Sequence, residues 1–152
     1  MTSNNKAPEF TLQDENGNPV SLSDFRGKTV VLFFYPRADT PGCTIEACEF
    51  RDSYTRLRST GVVVLGISPD VPKDQKKFRE KFELPYPLLC DPEKKVAEAM
   101  GVLKEKNMYG KKVMGIERST FLIDDKGVRR QEWRKVKVPG HVEEVLEAAR
   151  GL

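Results

Sequence analysis

The feature that most constrains this chain is a strand-to-helix turn with a cysteine in it. Residues 30–35 form an apolar run, short and rich in β-branched and aromatic side chains, which predicts a buried strand. Further on, Ala47, Phe50, Tyr54 and Leu57 recur at helical spacing. Between them lie Pro36, Arg37, Ala38, Asp39, Thr40, Pro41, Gly42 and Cys43. Thr40 suits an N-cap and Pro41 the first helical position. That reading places Cys43 third in the helix, where a capping box would put Glu or Gln. Free backbone N–H groups and the helix dipole favour a negative group there, and a thiolate can be that group. A free cysteine titrates near about 8.5, and helix N-termini beside cations lower that value. Arg37 is one cation near in sequence, and a distant arginine is another option. Gly42 leaves the backbone before the sulfur open to a small substrate. The stretch reads as a site that holds a reactive thiolate.

Cys48 follows five positions later. In a helix that spacing is a rotation of roughly 500°, about 140° off the same face, with a rise of about 7.5 Å. A disulfide needs its Cβ atoms only about 3.8 Å apart. The two sulfurs therefore cannot bond while the helix is intact, and if they react the first turns must unwind. Such a pair suggests a cycle rather than a static staple.

With 152 residues, the chain is expected to be one domain, 1–152. Its 26 basic and 23 acidic residues nearly cancel, to a net charge of +3, so nothing points to nucleic acid or an anionic membrane. No apolar run approaches the ~20 residues that cross a bilayer. The polar stretch 1–6 lacks the apolar segment of a secretory signal, which predicts a cytoplasmic location. Stable disulfides are rare there, and cysteines tend to be catalytic or redox-sensing. Three cysteines leave one spare if two pair, and Cys90, at the end of a predicted strand, reads as core packing. One histidine and scattered cysteines give no zinc spacing, and no glycine-rich phosphate loop is present, so no metal or cofactor is expected.

Residues 10–12 and 20–22 predict short strands around Glu15, Asn16, Gly17 and Asn18, followed by a loop at 24–28. The strand 29–35 leads into the cysteine helix, which is expected to run to near Gly61. A second apolar strand, 62–67, completes a βαβ unit with a parallel pair. Pro72 opens a helix with Phe78 and Phe82 on its apolar edge and a solvated basic face. Residues 86–90 predict a strand, and Pro92 starts a short helix ending at Gly101. Residues 107–115 read as a loop or an edge hairpin. Residues 116–123 and 128–136 predict an antiparallel pair, and 141–150 a closing helix with Val142, Val145 and Leu146 on one side. His141, the lone histidine, reads as a surface or capping residue, and Trp133 as core. The sum is an α/β chain, a mixed sheet covered by helices.

The motif Pro36-x-x-x-Thr40-x-x-Cys43 resembles the active-site signature of the peroxiredoxins. The Cys43-x-x-x-x-Cys48 pair resembles their Q-type branch, the bacterioferritin comigratory proteins. Ala7, Pro8, Glu9, Phe10, Thr11 and Leu12 near the start, and Arg118, Ser119, Thr120, Phe121, Leu122, Ile123 and Asp124 later, are similar to the same family. The resemblance implies a thioredoxin-like fold with an added N-terminal β-hairpin. It also implies a thiol peroxidase that acts on hydrogen peroxide and organic hydroperoxides, needs no cofactor, and is recycled by thioredoxin or a similar dithiol. Residue by residue, it makes Cys43 the peroxidatic nucleophile and Cys48 its resolving disulfide partner. Thr40 becomes a hydroxyl on the sulfur or peroxide, and Arg118 the cation beside the thiolate. Pro36 would shield the sulfur, Gly42 belongs to the pocket, and Glu46 matches the motif acid, although a first-turn Glu also suits the helix dipole. Cys48 has a plainer alternative, a core-facing helix residue with resolution by another chain or a small thiol. The branch resemblance favours a monomer, while Cys90 or an exposed edge would support a dimer.

Two rival functions compete. A thiol–disulfide oxidoreductase would carry Cys-x-x-Cys, whereas the gap here is four residues, and it would leave Thr40 and Arg118 unexplained. A redox-gated binding protein would use oxidation to melt the helix start and expose Phe50 or Tyr54.

Overall fold

A computed structural model describes residues 6–151; the polar opening 1–5, on which the reading of the N-terminus rests, lies outside them, as does Leu152. A seven-stranded mixed sheet runs in the order β2 (Pro19–Ser21), β1 (Thr11–Asp14), β5 (Leu88–Cys90), β4 (Val62–Ser68), β3 (Thr29–Phe34), β8 (Ser119–Ile123), β9 (Arg129–Trp133). Strand β3 pairs in parallel with β4, from Thr29 opposite Val62 to Phe34 opposite Ile67. Its other edge pairs antiparallel with β8, from Val30 opposite Ile123 to Phe34 opposite Ser119. The β1–β2 hairpin joins antiparallel to β5, which makes it an N-terminal extension of the sheet.

The continuous apolar run in β3 exists because both faces are covered. Val31, Phe33 and Tyr35 enter one core, with Phe50, Leu57, Phe78, Tyr86 and Leu146. Val30, Leu32 and Phe34 enter the other, with Leu65, Val96, Met100 and Phe121. This is the period-2 alternation of a strand, and each fully buried apolar side chain contributes roughly 1.5–3 kcal/mol. The first core is roofed by α1 (Pro41–Asp52), α2 (Tyr54–Ser59), α3 (Pro72–Phe82) and α5 (His141–Arg150), and α4 (Lys95–Ala99) lies on the other face. The architecture is the thioredoxin-like one expected.

Several expectations are corrected. The helix expected to run from 41 to near Gly61 is two helices, because Ser53 leaves helical geometry at φ −99° and ψ 5°. Residues 24–28 are not wholly loop: a 3-10 turn spans Leu22–Phe25 and buries Leu22. Helix α4 starts after Pro92, at Lys95, since the Asp91 carboxylate accepts the Val96 and Ala97 N–H groups at 3.3 and 2.9 Å. Residues 107–115 belong to a hairpin of their own, β6 (Leu103–Met108) and β7 (Lys111–Ile116), outside the main sheet. Its turn, Tyr109 and Gly110, has positive φ at both positions, which a tight hairpin requires. The strand expected over 116–123 is split accordingly. Ile116 ends β7, Glu117 donates its N–H to the Val102 carbonyl at 2.8 Å, and β8 begins only at Ser119. Arg118 thus lies between strands rather than within one.

Candidate active site

Strand β3 delivers the chain to one end of the sheet, where Tyr35 donates its N–H to the Ile67 carbonyl at 3.0 Å and its hydroxyl to Gln75 Oε1 at 2.7 Å. The following loop is tied to β4. Ala38 donates its N–H to Asp70 Oδ2 at 2.8 Å, and the same oxygen accepts the Ser68 hydroxyl at 2.6 Å. Asp39 takes a left-handed φ of 60° and pairs with Lys81 at 3.0 Å. Thr40 is the N-cap of α1 by backbone, with φ −95° and ψ 156°, and its carbonyl accepts the Thr44 N–H at 2.8 Å. Its hydroxyl donates to the Arg37 carbonyl at 2.8 Å and caps nothing. The N–H groups of Gly42 and Cys43 therefore stay free of a side-chain cap at the positive end of the helix.

Cys43 is third in the helix, as expected, and only 1% exposed. Arg118 reaches it from 75 positions away, with Nη2 donating to Cys43 Sγ at 3.2 Å. The same guanidinium donates through Nη1 to Glu46 Oε1 at 2.7 Å. The backbone of Arg118 is held in place as well, its carbonyl accepting the Val136 N–H at 3.0 Å. Gly42 leaves room for this approach: a Cβ there would lie 3.2 Å from Arg118 Nη2, so the guanidinium would have to draw back by a few tenths of an ångström. Arg37, the cation nearest in sequence, is exposed.

Glu46 is not a first-turn residue, since α1 starts at Pro41 and places it in the second turn, fully buried. Burial pushes its carboxyl up to about 7, with Arg118 pulling the other way. Its Oε2 is buried without a hydrogen-bond partner among the described residues. Burial draws Arg118 down, but Glu46 and Cys43 more than offset this, and its pKa ends above the ordinary value. One cation thus faces two acids in a site of low dielectric.

Cys48 lies on the same unbroken helix, half-buried, and its thiol is free, as is that of Cys43. Burial raises the Cys48 pKa, and Arg51 and Asp52 work against each other on it. Cys90 is buried in β5, its thiol pushed up to about 12 by burial and the carboxylates of Glu15 and Asp14, in keeping with core packing. Pro36 is half-buried at the start of the loop.

His141 is corrected from surface to core. It is 2% exposed, its Nε2 lies 2.8 Å from the Thr120 hydroxyl, and the rings of Phe50 and Trp133 meet it edge-on. Two residues of the site escaped the sequence reading. Asp70 anchors the loop from another strand's end. Tyr86, read only as the start of a strand, sends its hydroxyl into α1, donating to the Ala47 carbonyl at 2.7 Å. Its one sequence signal is the flanking pair Pro85 and Pro87.

Residues 3–131 match the model of the AhpC/TSA family. The chain is 51% identical over 147 residues to Peroxiredoxin Bcp of Bacillus subtilis, covering 97% of this chain and 94% of that one. Among solved structures, Xanthomonas campestris peroxiredoxin Q superposes with a TM-score of 0.90 at 41% identity, covering 93% of this chain and 90% of that chain. A second structure from that organism, of the bacterioferritin comigratory protein and concerned with its alkyl peroxide reduction activity, gives 0.89 at 40% identity, with the same coverage. With a cysteine at a helix start, an arginine on its sulfur and this likeness along nearly its full length, the chain belongs to the AhpC/TSA family as a peroxiredoxin of the Bcp/PrxQ type.

Proposed function

We propose that the protein reduces hydrogen peroxide and small organic hydroperoxides with Cys43 as nucleophile. The observation that carries this reading is the Arg118 guanidinium 3.2 Å from the Cys43 sulfur, beside the opening N–H groups of α1. The Cys43 thiolate attacks the terminal oxygen of the hydroperoxide. An S–O bond forms, the O–O bond breaks, and the leaving oxygen departs as water or an alcohol once it takes a proton. Arg118 and the N–H groups of Gly42 and Cys43 stabilise the charge moving across the O–O bond. Thr40 and Pro36, both half-buried, border the pocket in this reading, with the Thr40 hydroxyl free only to accept since it donates to the Arg37 carbonyl, and Glu46 positions Arg118.

The product is a sulfenic acid on Cys43. The start of α1 then unwinds, the Cys48 thiol attacks the sulfenic sulfur, and water leaves as the disulfide forms. A dithiol such as thioredoxin reopens it by two exchange steps and becomes the disulfide itself.

Intact mass after one equivalent of peroxide tests the scheme. The chain loses two hydrogens, and fragment ions link Cys43 to Cys48. Cys43→Ser consumes no peroxide; turnover retained in that variant sinks the assignment.

A further inference from the structure

Helix α1 is held unevenly along its length. Residues 41–46 are tied to the rest of the molecule, at the side-chain level, by Arg118 on Cys43 and Glu46. Both ties are charge-assisted, and the one to sulfur weakens when the thiolate becomes a neutral sulfenic acid. The second half is fastened by groups that peroxide leaves untouched. Phe50 is fully buried and stacks on Phe33 with ring centroids 4.6 Å apart. Arg51 Nη1 donates to the Phe82 carbonyl at 2.8 Å. At the junction, the Tyr86 hydroxyl donates to the Ala47 carbonyl at 2.7 Å.

That carbonyl belongs to the peptide joining Ala47 to Cys48. In a regular helix it already accepts the Arg51 N–H, so Tyr86 occupies its second lone pair. Tyr86 is itself rigid. It is fully buried, its ring meets Phe33 edge-on at 5.7 Å, and Pro87 after it restricts its backbone.

From this geometry we infer that Tyr86 is a positioning residue for the resolving step: its hydroxyl halts the unwinding of α1 at Ala47, so that Cys43 travels and Cys48 stays fixed. Ala47 then becomes the N-cap of a residual helix that begins at Cys48. The inference rests on the proposed Cys43–Cys48 cycle. It adds the place where the melting stops and the group that stops it.

Tyr86→Phe removes only the hydroxyl and leaves the Ala47 carbonyl with its helical partner. Amide hydrogen exchange is followed by NMR on the oxidised full-length chain, together with the rate of disulfide closure after one equivalent of peroxide. In the wild type, amides 45–50 lose protection on oxidation, while Arg51, Asp52 and Ser53 keep theirs. In the variant, Arg51 loses protection and closure slows by about fivefold, the effect of one neutral hydrogen bond. Reduced Tyr86→Phe with wild-type protection in β3 and β4 shows that the fold is intact. If wild-type Arg51 exchanges as freely as its neighbours 45–50, or if the variant matches the wild type in both measurements, the inference fails alone. If the oxidised wild type contains no Cys43–Cys48 disulfide, the proposed cycle fails and takes the inference with it.

Discussion

Arg118 is shared by two acids, and the interior can hold only so much negative charge beside it. A Cys43 thiolate and a Glu46 carboxylate together would leave one buried anion uncompensated. The Oε2 of Glu46, without a hydrogen-bond partner among the described residues, and a carboxyl pushed up to about 7 by burial both fit a proton resting on that side chain. The consequence for stability has a definite sign. Between the ordinary value of 4.5 and about 7 the folded chain holds a proton that the unfolded chain has released, so stability falls as pH rises through that window. Glu46→Gln keeps an oxygen for Arg118 and abolishes the titration. Urea midpoints at about pH 5 and about pH 7.5 should therefore converge in the variant relative to the wild type. An unchanged slope removes Glu46 as its source. Neither partner of this pair was legible in spacing. Arg118 was reached through family likeness, and burial of Glu46 depends on a strand junction 72 positions away. Cys43 was legible because Thr40, Pro41 and Gly42 are local signals that no tertiary contact overrode.

At the scale of elements, the proposed cycle asks α1 to be a good helix in one state and a poor one in another. Cys43 and Cys48 sit on a continuous run of turns and cannot meet within it. Cys48→Ser leaves the first half of the cycle in place and removes the trap for the sulfenic acid. The variant should react once with peroxide, fail to turn over with thioredoxin, and drift to sulfinic acid under excess oxidant, a gain of two oxygens by mass spectrometry. Full thioredoxin-linked turnover would take Cys48 out of the mechanism. Elements with strong local codes were read correctly: the apolar strands β3 and β4, the Pro-started α3, and α5. Those set by particular capping and backbone ties were not. Asp91 moved the start of α4, and the tie from Glu117 to Val102 turned one expected strand into the end of a hairpin and the start of β8.

For the molecule as a whole, closing the proposed Cys43–Cys48 disulfide would have opposing effects. A cross-link around so short a loop restrains the unfolded chain by about 2 kcal/mol. Against this, the folded chain gives up the two charge-assisted bonds of Arg118, each worth about 1.5–3 kcal/mol, along with the burial of Cys43. The losses are larger, so the oxidised chain should melt several degrees below the reduced one, at about 2–4 °C per kcal/mol for a chain of this size. Calorimetry on the two forms checks this, and equal or higher melting of the oxidised chain contradicts it. His141 and Tyr86 show why the interior was the least legible part. Each is defined by groups from several elements, Thr120, Phe50 and Trp133 for one and Ala47 and Phe33 for the other, that no local pattern connects.

The long reach between Cys43 and Arg118 also bears on biosynthesis. On the ribosome the sulfur emerges well before the guanidinium that sits on it. It also gains that neighbour only after β8 has docked against β3. Under the proposed mechanism a growing chain therefore carries its thiol without that partner, and reactivity toward peroxide would switch on late, as a property of the finished fold.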